Sequence, residues 1–200
     1  MSKRIALAMT GGSGVQYALR LIQVMTEQGA HVYLMLSSAA VVVINTETDY
    51  QVPASLDEQQ RFFEEHFCHG EGSVELLAKD DWFSAPASGS NAPEAMVICP
   101  ASGGTLSAVS IGASNNLIER AADVMLKERR PLVLVPRETP LSRIHLTNML
   151  TLTEAGAIIL PASPGFYNNP RSIEDLVDFV VARIVDHLGF EQKIQPKWGK

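Results

Sequence analysis

The sequence predicts an α/β fold, in which a mostly parallel central sheet is covered by helices on both faces. Short apolar runs occur at residues 5–9, 31–36 and 95–99, and segments with helical periodicity separate them. Continuous apolar runs are typical of strands buried on both faces of a parallel sheet. A chain of 200 residues with 46% hydrophobic residues can form one well-packed core. We therefore expect a single domain over residues 1–200.

The first two strand–helix units have the clearest signals. The strand at 5–9 ends in Thr-Gly-Gly-Ser-Gly, and apolar residues at three- and four-residue spacing then predict a helix. The strand at 31–36 ends at Ser37 and Ser38, and either serine can cap a helix that begins near Ala39.

Residues 51–93 are less regular, and we expect a long insertion there with one helix near 59–67. Beyond the strand at 95–99, the pattern predicts helical segments across 116–129, a strand at 132–135, a helix at 144–154, a strand at 157–160 and a helix at 172–188. Ligands of parallel sheets bind at the carboxyl ends of the strands. The loops that follow the strands are therefore the candidate site.

The distribution of charge limits the possible partners. The net charge is −6, yet five of the 16 Lys and Arg residues fall within residues 119–138. This pattern argues against broad binding to nucleic acid or to a membrane surface, and it favours a small anionic ligand. No apolar run approaches the roughly 18 residues of a membrane span. Two cysteines, Cys68 and Cys99, make no disulfide framework, which favours a reducing, cytoplasmic compartment.

The Thr-Gly-Gly-Ser-Gly segment at residues 10–14 joins a strand to a helix. Backbone N–H groups in such a turn can face an anion, although a bare turn is the alternative interpretation. The dinucleotide fingerprint is incomplete, because Tyr17 stands where its third glycine is expected and no acidic residue ends the second strand. Flavin mononucleotide (FMN) is therefore easier to accommodate than NAD.

The basic segment contains two kinds of cation. Arg120 and Lys127 are seven residues apart and share a helix face, whereas Arg137 and Glu138 directly follow a strand. A planar arginine suits a phosphate, and an adjacent glutamate can move a proton. The pair at 129–130 suits the carboxyl end of a helix, where cations complement the helix dipole.

Two further features have competing interpretations. The cluster His66, Cys68 and His69 could suggest a metal site, but ligands this close seldom complete a tetrahedron, so we expect a helix end and no metal. Trp198, near the end of the chain, either packs on a neighbouring subunit or covers a ligand.

Several motifs together resemble the UbiX-type flavin prenyltransferases. They are TGGSG at 10–14, SSAA at 37–40 with TETD at 46–49, ASGSNAP at 87–93, CPASGGTLSA at 99–108, the block 115–141 and PASPGFYNNP at 161–170. The resemblance implies a Rossmann-like three-layer sandwich that forms a homo-oligomer, usually a dodecamer. It also implies metal-independent transfer of a dimethylallyl group from dimethylallyl phosphate to N5 and C6 of reduced FMN. The prenylated FMN then serves a partner decarboxylase, for example in ubiquinone biosynthesis.

The resemblance also implies roles for individual residues. The expected FMN contacts are Gly11, Gly12, Ser13, Ser37, Ser102, Thr105 and Arg120. The expected phosphate ligands are Ser88, Ser90, Lys127, Arg137, Tyr167 and Arg183, with Ser88 and Ser90 coming from a neighbouring subunit. The catalytic set is Glu138, Lys127, Glu47, Ser13 and Trp198: Glu138 handles a proton, Glu47 lies near the reacting ring and Trp198 lies over the dimethylallyl chain. The tail, about residues 189–200, is expected to pack on a neighbouring subunit.

Two segments of the sequence depart from the family pattern. Gly12 and the Ala-Ser-Gly-Gly of residues 101–104 stand where Ala and Cys-Ser-Thr are often expected, which affects flavin affinity more than reaction type.

Two alternative functions remain open. One alternative is an FMN-dependent decarboxylase of a C-terminal or pantothenoyl cysteine, which would not use the phosphate ligands. Another is a non-catalytic flavin carrier. Direct decarboxylation of an aromatic acid has the least support, because no residue set for an aromatic carboxylate is evident.

Overall fold

The computed structural model describes residues 2–195, and in this range one six-stranded sheet forms the centre of the protein. All pairings are parallel, and the strand order is β3-β2-β1-β4-β5-β6. The strands are β1 (Arg4–Met9), β2 (His31–Leu36), β3 (Ser73–Leu77), β4 (Ala95–Ala101), β5 (Leu132–Pro136) and β6 (Ile158–Ile159).

Within residues 2–195, seven α-helices cover the two faces of the sheet. They are α1 (Val15–Glu27), α2 (Ser38–Glu47), α3 (Leu56–Phe67), α4 (Gly103–Ser110), α5 (Leu117–Lys127), α6 (Arg143–Glu154) and α7 (Ile173–His187). The first core cluster joins one sheet face to α1, α2, α3 and α7, and the second joins the other face to α4, α5 and α6. Alternate residues of β1 belong to different clusters, because successive side chains of a strand point to opposite faces. The three-layer prediction is confirmed.

One strand lies where the sequence predicts an insertion. The five predicted strands are present, but β3 falls within residues 51–93 and pairs with β2 at the sheet edge. Its sequence, SVELL, is short, and its burial alternates because one side of an edge strand remains exposed. A half-exposed strand lacks the continuous apolar run that identifies the central strands.

Because the strands are parallel, the sheet has two distinct edges. We call the edge where the strands begin the amino edge, and the edge where they end the carboxyl edge. Helices α1 and α5 run from the carboxyl edge back to the amino edge, as a connection between parallel strands requires. Within residues 2–195, no helix is long and apolar enough to cross a membrane.

Candidate functional site

The loops after β1, β2 and β4 meet at the carboxyl edge. The sheet order reverses between β1 and β4, and this is the position where parallel sheets form a ligand crevice. Thr10 joins two of the loops: its Oγ1 donates to Pro100 O at 2.7 Å and accepts from the Ser102 N–H at 2.8 Å. Thr10 is 2% exposed, so this link is a buried and rigid part of the crevice.

The two consecutive glycines of the first loop lie close to neighbouring segments of the chain. A Cβ on Gly11 would lie 2.7 Å from the Ala39 Cβ at the start of α2. A Cβ on Gly12 would lie 3.1 Å from the Pro100 Cβ. The backbone of this loop therefore passes too close to α2 for a side chain at Gly11, whereas a side chain at Gly12 would require only a small shift of Pro100.

Helices α1, α2 and α4 begin at the crevice, and the cap of α1 differs from the caps of the other two. The Glu47 Oε2 accepts from the Gly14 N–H at 2.8 Å, so a carboxylate occupies the amino end of α1. Ser37 Oγ accepts from the Ala40 N–H at 3.0 Å in α2, and Ser102 Oγ accepts from the Thr105 N–H at 3.3 Å in α4. The amino ends of α2 and α4 have only neutral caps, so they remain available to an anion.

A cavity of about 190 Å³ lies beside these caps. Its lining includes two predicted flavin contacts, Ser37 and Thr105. The other polar residues of the lining are Thr10, Ser38, Lys79, Asn116 and Glu119. Thr10 and Ser38 lie in loops that the sequence predicts for the site, whereas Lys79, Asn116 and Glu119 were not predicted as ligands. Lys79 could not be found because it follows the unpredicted β3. Asn116 had a usable signal, since it caps α5 through its Oδ1, which accepts from the Glu119 N–H at 3.0 Å.

Arg120, predicted as a flavin contact, does not line this cavity. Its Nε donates to Ala87 O at 3.1 Å, and its guanidinium pairs with Asp123 at 3.1 Å. Arg120 therefore holds the turn that leads into Ser88 and Ser90.

Lys127 lies with the Ser88–Ser90 turn on the same chain. Its Nζ pairs with Glu128, and both side chains lie so close to Gly89 that a Cβ there would meet them. The Ser88 and Ser90 hydroxyls are 3.1 Å apart. A groove of about 830 Å³ at the amino edge is lined by Lys127 and, among others, Arg129, Arg130 and His187.

The remaining predicted phosphate ligands lie elsewhere. Arg137 follows β5 at the carboxyl edge, and its Nε donates to Ser13 O at 3.4 Å. The ring of Tyr167 packs against the ring of Phe179 in α7, with 5.5 Å between the two ring centroids. Arg183, one turn further along α7, pairs with Asp186 at 2.7 Å.

Within one chain, the predicted phosphate ligands therefore form separate groups. Helix α5 runs towards the amino edge and β5 returns to the carboxyl edge, so Lys127 and Arg137 lie at opposite edges. The fold does not bring these two side chains together on one phosphate. Trp198 lies outside the described residues.

The chain belongs to a known class of protein. The family model described as Flavoprotein matches residues 1–185. This match, together with the carboxyl-edge crevice, defines the class as flavoproteins.

Comparisons with individual proteins identify the family within this class. The chain is 58% identical to "Flavin prenyltransferase UbiX" of Pseudomonas aeruginosa over 198 residues, covering 99% of this chain and 95% of that one. The crystal structure of AnUbiX (PadA1) in complex with FMN and dimethylallyl pyrophosphate superposes with a TM-score of 0.87 at 37% identity, covering 100% of this chain and 99% of that one. A dodecameric FMN-dependent Ubix-like decarboxylase from Escherichia coli O157:H7 superposes with a TM-score of 0.85 at 35% identity, covering 98% and 100%. The chain is a member of the flavin prenyltransferase UbiX family.

Proposed function

We propose that this protein transfers a dimethylallyl group from dimethylallyl phosphate or diphosphate to reduced FMN. The observation that carries the proposal is the crevice of helix amino ends, found in a chain 37% identical to a neighbour whose structure contains both FMN and dimethylallyl pyrophosphate. The prenylated product would serve a partner decarboxylase, in ubiquinone biosynthesis or another pathway.

The crevice fits the proposed flavin. The amino ends of α2 and α4 offer N–H groups with positive dipole ends, and the hydroxyls of Ser37, Ser102 and Thr105 stand beside them. Gly11 and Gly12 would let the backbone approach the bound group closely. A cavity of about 190 Å³ suits the phosphate end, and the larger ring would extend into the open crevice. When bound, reduced FMN supplies the nucleophilic ring atoms N5 and C6.

The cations would stabilise the leaving phosphate. An allylic phosphate departs as an anion, so positive charge placed around it lowers the barrier where negative charge develops. Lys127, Arg120 and the two serines form one group, whereas Arg137 forms another. We propose that copies of the chain meet so that the Lys127 group of one joins Arg137 of another, and that the assembly brings Tyr167 and Arg183 to the same phosphate.

Glu138 would move the proton. Its position directly after β5 places it beside Arg137 at the carboxyl edge, and its Oε1 accepts only the N–H of Thr139 among the described residues. The carboxylate can therefore turn towards a bound substrate and take the ring proton. Glu47 would act near the reacting ring by fixing the backbone at Gly14 and Val15, and Trp198 would cover the dimethylallyl chain.

The proposed assembly is a homo-oligomer, as in the dodecameric neighbour. We propose one domain over residues 1–200, with the tail of about 189–200 packed on a neighbouring subunit. Gln195 already contacts its own chain, because its Oε1 accepts from Asn168 Nδ2 at 2.8 Å. Two free cysteines support a cytoplasmic location.

An anaerobic assay tests the proposed prenyl transfer. Purified protein is mixed with reduced FMN and either dimethylallyl phosphate or dimethylallyl diphosphate, and the mass of the extracted flavin is measured by mass spectrometry. We expect a gain of one C5H8 unit, which Lys127→Ala and Glu138→Gln abolish or slow. Arg61→Ala, an exposed cation of α3, is the matched control and should leave the gain unchanged.

Two outcomes would favour the alternatives. Flavin that copurifies unmodified with both donors would favour a carrier. Unmodified flavin together with carbon dioxide release from a cysteine-terminated peptide or a pantothenoyl cysteine would favour a cysteine decarboxylase.

A further inference from the structure

The segment that carries Glu138 has few anchors to the rest of the chain. Residues 137–144 are all exposed, and His145 is the first partly buried residue after Pro136. Within residues 2–195, every hydrogen bond made by residues 138–142 stays within the segment or joins the first turn of α6.

His145 makes the side-chain connection. In the capping box of α6, its Nδ1 accepts from the Ser142 N–H at 3.3 Å, while Ser142 Oγ accepts from the His145 N–H at 3.2 Å. An Nδ1 acceptor requires the neutral ring to carry its proton on Nε2. That proton is therefore on the side of the ring away from Ser142.

The Nε2 side of the ring lies against residues 102–103 at the start of α4, which we call the flavin loop because Ser102 is a predicted flavin contact. A Cβ on Gly103 would be 2.9 Å from His145 Nε2, so the imidazole rests directly against this residue. Gly103 is the first residue of α4 and follows Ser102. The same imidazole therefore contacts both the end of the Glu138 segment and the amino end of α4.

We propose that His145 is a positioning residue that ties the Glu138 segment to the flavin loop. It would set the distance between the Glu138 carboxylate and the flavin ring without touching either substrate. This inference rests on the proposed function, because Glu138 matters only if a ring proton must be removed. Small misplacements of a catalytic group can cost about 100-fold in rate.

The variants separate the contacts. His145→Ala removes both the Ser142 cap and the contact with Gly103. His145→Gln keeps a capping-box acceptor for Ser142, since Gln is a common residue at this position. Glu58→Ala is the matched control, because Glu58 holds the same position in the cap of α3, where its Oε2 accepts from Ser55 Oγ at 2.7 Å.

The first measurement needs no flavin. Hydrogen exchange of residues 138–142 is followed in the full-length protein. We expect faster exchange in His145→Ala, near wild-type exchange in His145→Gln, and no change there in Glu58→Ala. Unchanged exchange in His145→Ala would overturn the proposal, whether or not the protein is a prenyltransferase.

The second measurement separates positioning from binding. We expect His145→Ala to lower kcat for prenyl transfer by about 10- to 100-fold, with the Kd of FMN and the KM of the donor changed by less than about threefold. His145→Gln should recover only part of the rate, because it restores the cap of Ser142 without the contact of the imidazole with Gly103. Full recovery in His145→Gln would show that the cap alone is sufficient and would contradict a link to α4. A wild-type rate in His145→Ala, or a loss confined to FMN affinity, would contradict the positioning role of His145. Absence of prenyl transfer in the wild type would instead contradict the proposed function.

Discussion

The Glu47 carboxylate at the end of α2 accepts the Gly14 N–H at 2.8 Å and the Val15 N–H at 3.4 Å, at the start of α1. Gly14 has a left-handed backbone (φ 99°) and no side chain with which to cap the helix, so a residue 33 positions away does so. The helix amino end that follows the glycine loop is therefore already neutralised by the protein itself. The amino ends of α2 and α4 remain for a ligand.

Replacing Glu47 should weaken this connection. We expect Glu47→Ala to lower the free energy of unfolding by about 1–2 kcal/mol, as loss of a charged helix cap does. The measurement is urea denaturation at pH 7, with the exposed Glu71→Ala as control. Equal stability of the two variants would mean that the Glu47 hydrogen bonds contribute little.

The two glycines of the first loop should respond differently to a methyl group. Gly11→Ala places Cβ 2.7 Å from the Ala39 Cβ, whereas Gly12→Ala leaves 3.1 Å to the Pro100 Cβ. The closer contact must displace the start of α2, and overpacking of this kind costs about 1–3 kcal/mol. We expect the Kd of FMN, measured by fluorescence quenching, to rise about tenfold or more in Gly11→Ala and less in Gly12→Ala. A larger effect in Gly12→Ala would contradict this order.

The separation of Lys127 from Arg137 leads to a test of subunit complementation. If each site uses Lys127 of one copy and Arg137 of another, coexpressed Lys127→Ala and Arg137→Ala chains form some intact sites. Random pairing would restore about one quarter of the wild-type prenyl-transfer activity.

A matched pair controls for this complementation. Lys127 and Arg120 both belong to the group that contains the Ser88–Ser90 turn, so coexpressed Lys127→Ala and Arg120→Ala chains should recover nothing. Recovery of prenyl-transfer activity in this control, or no recovery with Lys127→Ala and Arg137→Ala, would contradict a site shared between two chains.

The buried Cys99 should make stability depend on alkaline pH. Complete burial raises the pKa of the Cys99 thiol, so it stays protonated in the folded state. The unfolded thiol ionises near its usual pKa of about 8.5, and the unfolded state then gains stability as pH rises. We expect the free energy of unfolding to fall above about pH 8.5, with a slope approaching 1.4 kcal/mol per pH unit from this group.

Cys99→Ala removes the ionisable group and should make the slope shallower. Urea denaturation between pH 7 and 10 measures it. Burial also raises the pKa of Tyr17, which adds to the slope only at higher pH. An unchanged slope below pH 9.5 in Cys99→Ala would contradict the assignment.

The regular elements could be predicted because their signals are local. Buried parallel strands such as β1 and β4 are continuous apolar runs, and helices such as α7 show regular apolar spacing. Residues that directly follow strands, including Ser37, Ser102 and Arg137, were predicted near the carboxyl edge for the same reason. The edge strand β3 was missed because its alternating burial leaves a weak signal.

The sequence alone therefore determined the fold class, the loops at the carboxyl edge and, through its motifs, the family. Tertiary structure decided which side chains come together. The cap of α1 by Glu47, the contact of His145 with Gly103 and the separation of Lys127 from Arg137 join or divide residues far apart in the chain. Apolar periodicity is a property of neighbouring residues, whereas these relationships depend on strand order and helix direction, which local sequence does not encode.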